Sequence, residues 1–166
     1  MIAVCTNQTR KITYKRTRHI SPGAALAFFT RAQWWDWYNL DDVAWRLRHC
    51  LYLASAWHGR KMVGMAMLTG DGRIDVELYA LVVDPEYRKL GIGSELMRMV
   101  MARIATLRPY LFYLEVPAKR TQKFYRRFGF RQNTRSRLME HGPTARSYVH
   151  ELRLARRRNS KPRAVR

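Results

Sequence analysis

The chain has 166 residues and carries 32 Lys and Arg against 12 Asp and Glu, a formal net charge of +20. This length suits one domain with its own core. Two cysteines and the lack of a long apolar run argue against a disulfide scaffold, a secretion signal and a membrane span, so the cytoplasm is the expected compartment.

The positive charge is concentrated at both ends of the sequence. Residues 1–20 hold five basic and no acidic residues, residues 21–95 hold eight and nine, and residues 96–166 hold nineteen and three. Such ends attract polyanions, so we expect contact with nucleic acid or an acidic protein. The alternative is a solubilising surface that also attracts the phosphates of a small ligand.

Two helices are predicted after a first basic strand over residues 11–18. Ser21 suits a helix cap and Pro22 a first helical position, for a helix that runs to about residue 33. Asn39 precedes a second helix over residues 40–49. Between them, residues 34–38 (WWDWY) form the densest aromatic cluster of the chain, which predicts either core or an aromatic-lined site.

The next segments predict antiparallel strands. Residues 51–57 and 62–68 form a strand pair, and a turn at 69–72 leads into a strand that starts at Asp75. Its residues alternate, which predicts one buried face and one face with carboxylates. The face expected to be buried carries Val76, Leu78, Ala80 and Val82; the opposite face carries Asp75, Glu77, Tyr79 and Leu81.

A glycine loop follows this strand and opens a helix. Asp84-Pro85 ends the strand, and after RKLGIG (residues 88–93) apolar residues recur at helical spacing as far as Leu107. The first N–H groups of a helix lack partners and glycines allow close approach, so the loop is a candidate pyrophosphate cradle. The alternative is a tight strand-to-helix turn. Neither the dinucleotide fingerprint nor the P-loop of nucleoside triphosphatases is present.

The last third predicts a strand over residues 110–116 and a helix from Pro117 that stops at Gly129. Residues 130–137 and 144–154 are predicted to be closing strands that turn around residues 141–143. Residues 156–166 contain six basic residues and no acidic one, which predicts a disordered tail behind a single domain at 1–155. No metal-binding spacing is found among the five histidines.

Two motifs resemble the GNAT superfamily of acyl-CoA-dependent N-acyltransferases. VDPEYRKLGIG (residues 83–93) is similar to the family's [RQ]-x-x-G-x-[GA] block, and FYRRFGF (residues 124–130) to its F-Y-x-x-x-G-F block. The resemblance covers residues 46–132 well and both ends poorly. It implies an α/β (α+β) fold: a central mixed, mostly antiparallel, twisted sheet of six to seven strands flanked by about four helices.

The resemblance also implies acetyl-CoA as the acyl donor. Its pyrophosphate would lie on the loop amides, its thioester carbonyl near the N–H of Leu81 or Val82, and its pantetheine arm along Val83. The donor-binding residues implied in this way are Leu81, Val82, Val83, Arg88, Lys89, Leu90, Gly91, Ile92, Gly93, Ser94 and Phe124.

Glu77 and Tyr125 are the candidate catalytic residues. Glu77 lies eleven residues before Arg88, the spacing at which the resembled acetyltransferases with a glutamate base place that group; it would act directly or through a water. The alternative is a charge-paired glutamate on an exposed face, and Asp75 is the reserve base. Tyr125 matches the family's tyrosine that protonates the leaving thiolate, and its alternative role is packing against the CoA arm.

The acceptor is predicted from charge and from the resemblance together. The first two helices and the aromatic cluster between them would wall the acceptor site, with the cluster as a pocket or a base-stacking platform. The basic ends favour a macromolecular amine, either a protein lysine or N-terminus or an aminoacyl-tRNA, attacking the thioester directly. Two alternatives stay open: a small-molecule amine, and a GNAT-fold binding protein that docks on nucleic acid or a host protein without catalysis. A homodimer also stays open.

Overall fold

The computed structural model describes residues 11–17, 19–34, 39–115, 119–133 and 138–141. The strands are β1 (Ile12–Arg16), β2 (Tyr52–His58), β3 (Lys61–Gly70), β4 (Asp75–Val83), β5 (Leu111–Glu115), β6 (Phe130–Gln132) and β7 (Leu138–His141). The helices are α1 (Pro22–Arg31), α2 (Leu40–His49), α3 (Ile92–Leu107) and α4 (Lys119–Arg126), with a short 3-10 helix at Pro85–Tyr87. Within these ranges no helix has the length and apolar character needed to cross a membrane.

The seven described strands form one sheet in the order β1-β2-β3-β4-β5-β7-β6. Neighbours pair antiparallel except β4 and β5, which are parallel. The predicted fold class, a mixed and mostly antiparallel sheet with four helices, is therefore confirmed. β4 lies in the middle of the sheet because two successive hairpins deliver it there.

The first two helices begin where their capping residues predict. The Ser21 hydroxyl accepts a hydrogen bond from the Ala24 N–H at 3.1 Å. Asn39 and Asp42 form a reciprocal capping box, in which the Asn39 side chain accepts from the Asp42 N–H at 2.9 Å. Each such cap is worth about 1 kcal/mol. The first helix ends at Arg31, two residues earlier than predicted.

Two core layers cover the two faces of the sheet. Phe28, Val43 and Met65 belong to the layer under α1 and α2, whereas Leu96 and Phe112 belong to the layer under α3. α3 lies close to β3 because Gly64 has no side chain at the crossing: a Cβ there would come within 3.0 Å of side-chain atoms of α3. The sheet is therefore buried on both sides.

The predicted buried residues of β4 are all buried, but the prediction that all four share one face is wrong. Val76 and Leu78 pack in the α3 layer, but Ala80 and Val82 pack in the α1 and α2 layer. The cause is a β-bulge: Met67 pairs with Ala80 while the next residue, Leu68, pairs with Leu78, so β4 carries one extra residue there. Each side chain after such an extra residue lies on the face opposite to the one that simple alternation predicts.

The predictions for the C-terminal strands also need correction. Residues 130–137 are not one strand, since β6 ends at Gln132 and the hairpin closes with the Asn133 N–H donating to the Leu138 carbonyl at 2.9 Å. β7 then occupies residues 138–141, between the two predicted strands and overlapping at residue 141 the turn expected at 141–143. α4 ends at Arg126, before Gly129. Hydrogen bonds between residues three apart follow it, such as that from the Phe128 N–H to the Tyr125 carbonyl at 2.9 Å.

Several predictions lie outside the described residues. They are the aromatic positions 35–38, the helix start at Pro117, the strand at 144–154, and the basic tail at 156–166.

Candidate functional site

β4 and β5 separate in the middle of the sheet. Their parallel pairing comprises Asp75 with Leu111, Val76 with Phe112, and Glu77 with Tyr113, and it extends no further in the described residues. Residues 80–83 of β4 therefore pair with β3 on one side and, among the described residues, have an open edge on the other. We call this opening the fork. Glu77 lies at its base, and Val83 lies near its outer end.

A pocket of about 410 Å³ lies at the outer end of the fork. It is formed by the end of β4, the glycine loop, the first turn of α3 and one side of α4. Its lining residues are Val83, Tyr87, Arg88, Lys89, Gly91, Ile92, Gly93, Ser94, Phe124 and Arg127.

Two glycines shape the floor of the pocket. Gly91 caps α3 with φ of 80°, a left-handed conformation that glycine adopts without strain, and no side chain caps this helix. Gly93 lies in the first turn, and a Cβ there would be 3.7 Å from Val83 Cγ2 and 3.8 Å from Phe124 Cζ. The first-turn N–H groups lack intrahelical partners and carry the positive end of the helix dipole, so this floor suits an anion.

The lining is basic on one side and apolar on the other. Arg88 Nε donates to the Val83 carbonyl at 3.2 Å, and Arg127 donates to Ser94 Oγ at 3.4 Å while lying 5.2 Å from the centre of the Phe124 ring. None of the lining residues is acidic. The residues therefore fit a phosphorylated ligand with an apolar arm, as CoA is.

Three of the implied donor-binding residues do not line this pocket. Leu81 packs in the α3 layer, Val82 is 4% exposed in the opposite layer, and Leu90 is 55% exposed. For Leu81 and Val82 the implied contacts involve the main chain, and both lie on the open edge of the fork. Sequence reasoning missed Tyr87 and Arg127; Arg127 lies three residues after Phe124, a helical spacing that places both on one side.

Glu77 is partly buried on the face of the sheet that α2 covers. Its carboxylate accepts a hydrogen bond from the Thr69 hydroxyl at 3.3 Å. Burial raises the pKa of Glu77; the Thr69 hydrogen bond opposes this, the charge of Glu115 reinforces it, and that of Arg46 opposes it. A carboxyl with a raised pKa is a better proton acceptor at neutral pH than an ordinary one.

Tyr125 lies on α4, in contact with the aromatic residues of the α3 layer. Its ring meets Phe124 edge-on at 5.2 Å and Phe130 at 6.1 Å between centroids. Burial raises the pKa of Tyr125 to about 12, so the phenol keeps its proton at neutral pH. It can therefore donate a proton but not accept one there.

No set of three His, Cys, Asp or Glu side chains that could hold a metal ion occurs in the part of the chain that the structure describes.

The chain is similar to known proteins in sequence. The sequence model described as the acetyltransferase (GNAT) family matches residues 15–130. Uncharacterised N-acetyltransferases of Mycobacterium tuberculosis and Mycobacterium bovis are 39% identical over 84 residues, 49% of this chain and 53% of theirs. The chain thus spans about half the length of the curated relatives it matches.

Solved structures agree with the fold. A GNAT-family acetyltransferase of Streptococcus pneumoniae superposes with a TM-score of 0.64 at 29% identity, over 73% of this chain and 88% of that one. A probable acetyltransferase of methicillin-resistant Staphylococcus aureus gives 0.67 at 18% identity, over 75% and 92%, a likeness of fold alone.

Proposed function

Because the chain belongs to the acetyltransferase (GNAT) family, we propose that it transfers the acetyl group of acetyl-CoA to a primary amine of a macromolecule. The observation that carries this proposal is the basic, glycine-floored pocket at the outer end of the fork, with Glu77 at the base of the same fork. Acetyl-CoA supplies the acetyl thioester.

The residues of the pocket would bind and orient the donor. The first-turn amides of α3, together with Arg88 and Arg127, would hold the diphosphate, and the open edge of β4 at Val83 would pair with the amide groups of the arm. The N–H of Leu81 or Val82 would polarise the thioester carbonyl. These contacts fix the carbonyl carbon inside the fork.

Glu77 and Tyr125 would move the two protons. The amine nitrogen forms a bond to the thioester carbonyl carbon as the carbon–sulfur bond breaks. Glu77, directly or through a water, takes the proton that the amine loses, and Tyr125 gives its proton to the departing sulfur. The products are the acetylated amine and CoA, and Tyr125 regains a proton from water.

A local acidic group supports an amine as the acceptor. Burial raises the pKa of Tyr113, and the charges of Glu77, Asp75 and Glu115 raise it further, so three carboxylates lie near one ring at the base of the fork. Their field attracts an ammonium group within a protein of net charge +20. The basic ends would hold the rest of a polyanionic acceptor, which favours a protein or aminoacyl-tRNA over a small polyamine.

Tyr125→Phe should lower turnover by about a hundredfold, the low end of the range for general acid catalysis, and leave the affinity for acetyl-CoA unchanged. The substitution removes only the hydroxyl, while the ring contacts with Phe124 and Phe130 remain. Steady-state rates of CoA release, with binding measured by calorimetry, test this. Unchanged turnover would refute the acid role and leave Tyr125 as a packing residue.

The acceptor class is tested by incubating a cell lysate with the protein and labelled acetyl-CoA, then separating protein, RNA and small molecules. Label in protein or RNA supports the proposal, whereas label only in small molecules overturns the macromolecular acceptor. A docking protein without catalysis would release no CoA above background, and would lose nucleic acid on removal of residues 156–166.

A further inference from the structure

Asp84 is a buried carboxylate at the end of β4, next to the pocket. It is 3% exposed. Its Oδ2 lies 3.3 Å from Lys61 Nζ and 3.6 Å from Arg31 Nε, and its Oδ1 accepts a hydrogen bond from the Glu86 N–H at 3.1 Å. The sequence predicted Asp84 only as the end of a strand and as one residue of the glycine-loop motif, with no role for its carboxylate.

The two cations come from separate elements. Arg31 is the last residue of α1, and its Nη2 also donates to the Met62 carbonyl at 3.0 Å. Lys61 is the first residue of β3, and its Nζ also pairs with Glu86 at 3.2 Å. Their side chains are 39% and 36% exposed, so both remain partly hydrated while Asp84 alone loses its water.

Asp84 also begins the turn that leads into the glycine loop. The Tyr87 N–H donates to the Asp84 carbonyl at 2.8 Å, and the Tyr87 hydroxyl is hydrogen-bonded to His58 Nδ1 at 2.8 Å. Tyr87 and Arg88 then line the pocket. Asp84 therefore fastens this turn to α1 and β3, and the Tyr87 hydroxyl fastens it to β2.

A buried charge of this kind needs an explanation other than stability. Burying a carboxylate is costly, and apolar residues of similar volume are often as stable as a buried ion pair. The ion pairs do, however, fix the direction in which the chain leaves β4. A small change in that direction moves the amides of the glycine loop, on which a diphosphate depends for its hydrogen bonds.

We propose that Asp84 is a positioning residue for the donor pocket, whose ion pairs with Arg31 and Lys61 hold the turn at residues 85–88 so that the first-turn amides of α3 meet the diphosphate of CoA. This inference rests on the proposed function, since it concerns how the same pocket binds its donor. Asp84 itself does not line the pocket and touches no reacting atom.

The test compares CoA binding by Asp84→Asn and by the wild type, measured by calorimetry. Asparagine keeps an oxygen for the Glu86 N–H and removes only the charge. We expect the Kd for CoA to rise about tenfold, the effect of losing about one hydrogen bond to a charged group. Asp41→Asn, the same chemical change at an exposed position in the first turn of α2, is the matched control and should bind CoA as the wild type does.

Two further variants separate positioning from folding. Lys61→Met should also raise the Kd for CoA. Lys61→Arg keeps the charge, so its Kd should stay within about twofold of the wild-type value. These variants carry the test if Asp84→Asn does not fold. Hydrogen exchange of the Tyr87 amide, which donates to the Asp84 carbonyl, and of the Glu95 amide, which donates to the Gly91 carbonyl, should be faster in Asp84→Asn and Lys61→Met than in Asp41→Asn. A general loss of stability would not confine this increase to the turn and the loop.

The outcomes distinguish this inference from the proposed function. Wild-type protein that fails to bind CoA would overturn the proposed function and this inference with it. Wild-type protein that binds CoA, with equal binding by Asp84→Asn and Lys61→Met, would overturn the inference alone.

Discussion

Glu77→Gln is expected to lower turnover by about a thousandfold while CoA binds as before, since general base catalysis typically contributes ~10²–10⁴-fold. Glutamine is nearly isosteric and keeps an oxygen for the Thr69 hydroxyl, so the base of the fork should keep its shape. Rates of CoA release at saturating acetyl-CoA, together with calorimetric Kd values, make this measurement.

The pH profile provides an independent check on Glu77. Burial raises the pKa of Glu77 above its ordinary value of 4.5. A base works only when deprotonated, so kcat/KM should fall as pH decreases through this raised pKa, which places the acidic limb above pH 4.5. The limb should be absent from Glu77→Gln.

Glu115→Gln is the matched control for that profile. Because the charge of Glu115 raises the pKa of Glu77, its removal should move the acidic limb to lower pH without abolishing turnover. If Glu77→Gln retained its turnover and the acidic limb of its pH profile, Asp75, or water without a carboxylate base, would have to accept the proton from the amine.

Gly93→Val should weaken CoA binding by about a hundredfold, the equivalent of losing two charge-assisted hydrogen bonds of about 1.5 kcal/mol each. The site has room for a Cβ, because its nearest neighbours would be 3.7 Å and 3.8 Å away, so the fold should survive. The added methyl groups would instead occupy the floor where the diphosphate must approach the first-turn amides.

Gly23→Val controls for helix propensity. Gly23 is the second residue of α1 as Gly93 is the second residue of α3, and a Cβ there would meet only Ser21 Oγ, at 3.9 Å. Both variants carry the same intrinsic cost of a β-branched residue in a first turn. Equal CoA affinity in the two variants would show that the floor of the pocket does not bind the diphosphate.

Local signals in the sequence predicted much of the N-terminal half and the glycine loop. The caps at Ser21 and Asn39 placed two helix starts, because a side-chain acceptor for the first N–H groups acts within a few residues. The apolar spacing placed α3, which ends at Leu107 as that spacing predicts. These features depend on residues that lie close together in the sequence, so they can be predicted from it.

The bulge in β4 was beyond such reasoning. Both faces of the sheet are covered by helices, so residues on either face are apolar, and a period of two does not show at which residue the faces exchange. The C-terminal hairpin failed for a different reason. β6 and β7 pair with each other, and the side-chain amide of Asn133 donates to Glu140 Oε1 at 2.6 Å, but Gly142 and Pro143 are the stronger turn signals in the sequence.

The candidate site was predicted in part. The loop residues lie together in the pocket, whereas Arg127 reaches it only through the packing of α4, and the open edge of β4 depends on where β5 stops pairing. That last feature depends on pairing between residues 36 positions apart in the sequence, such as Asp75 and Leu111. The alternation of residues within either strand cannot show where such pairing stops.

The extra residue in β4 has a kinetic consequence. It leaves the donor pocket on the α3 side of the sheet and Glu77 on the α2 side, so the two substrates would enter from opposite directions. Neither then blocks the other's route, and a ternary complex can assemble before any product departs. Double-reciprocal plots should accordingly intersect, and no acetylated protein should accumulate when the amine is withheld.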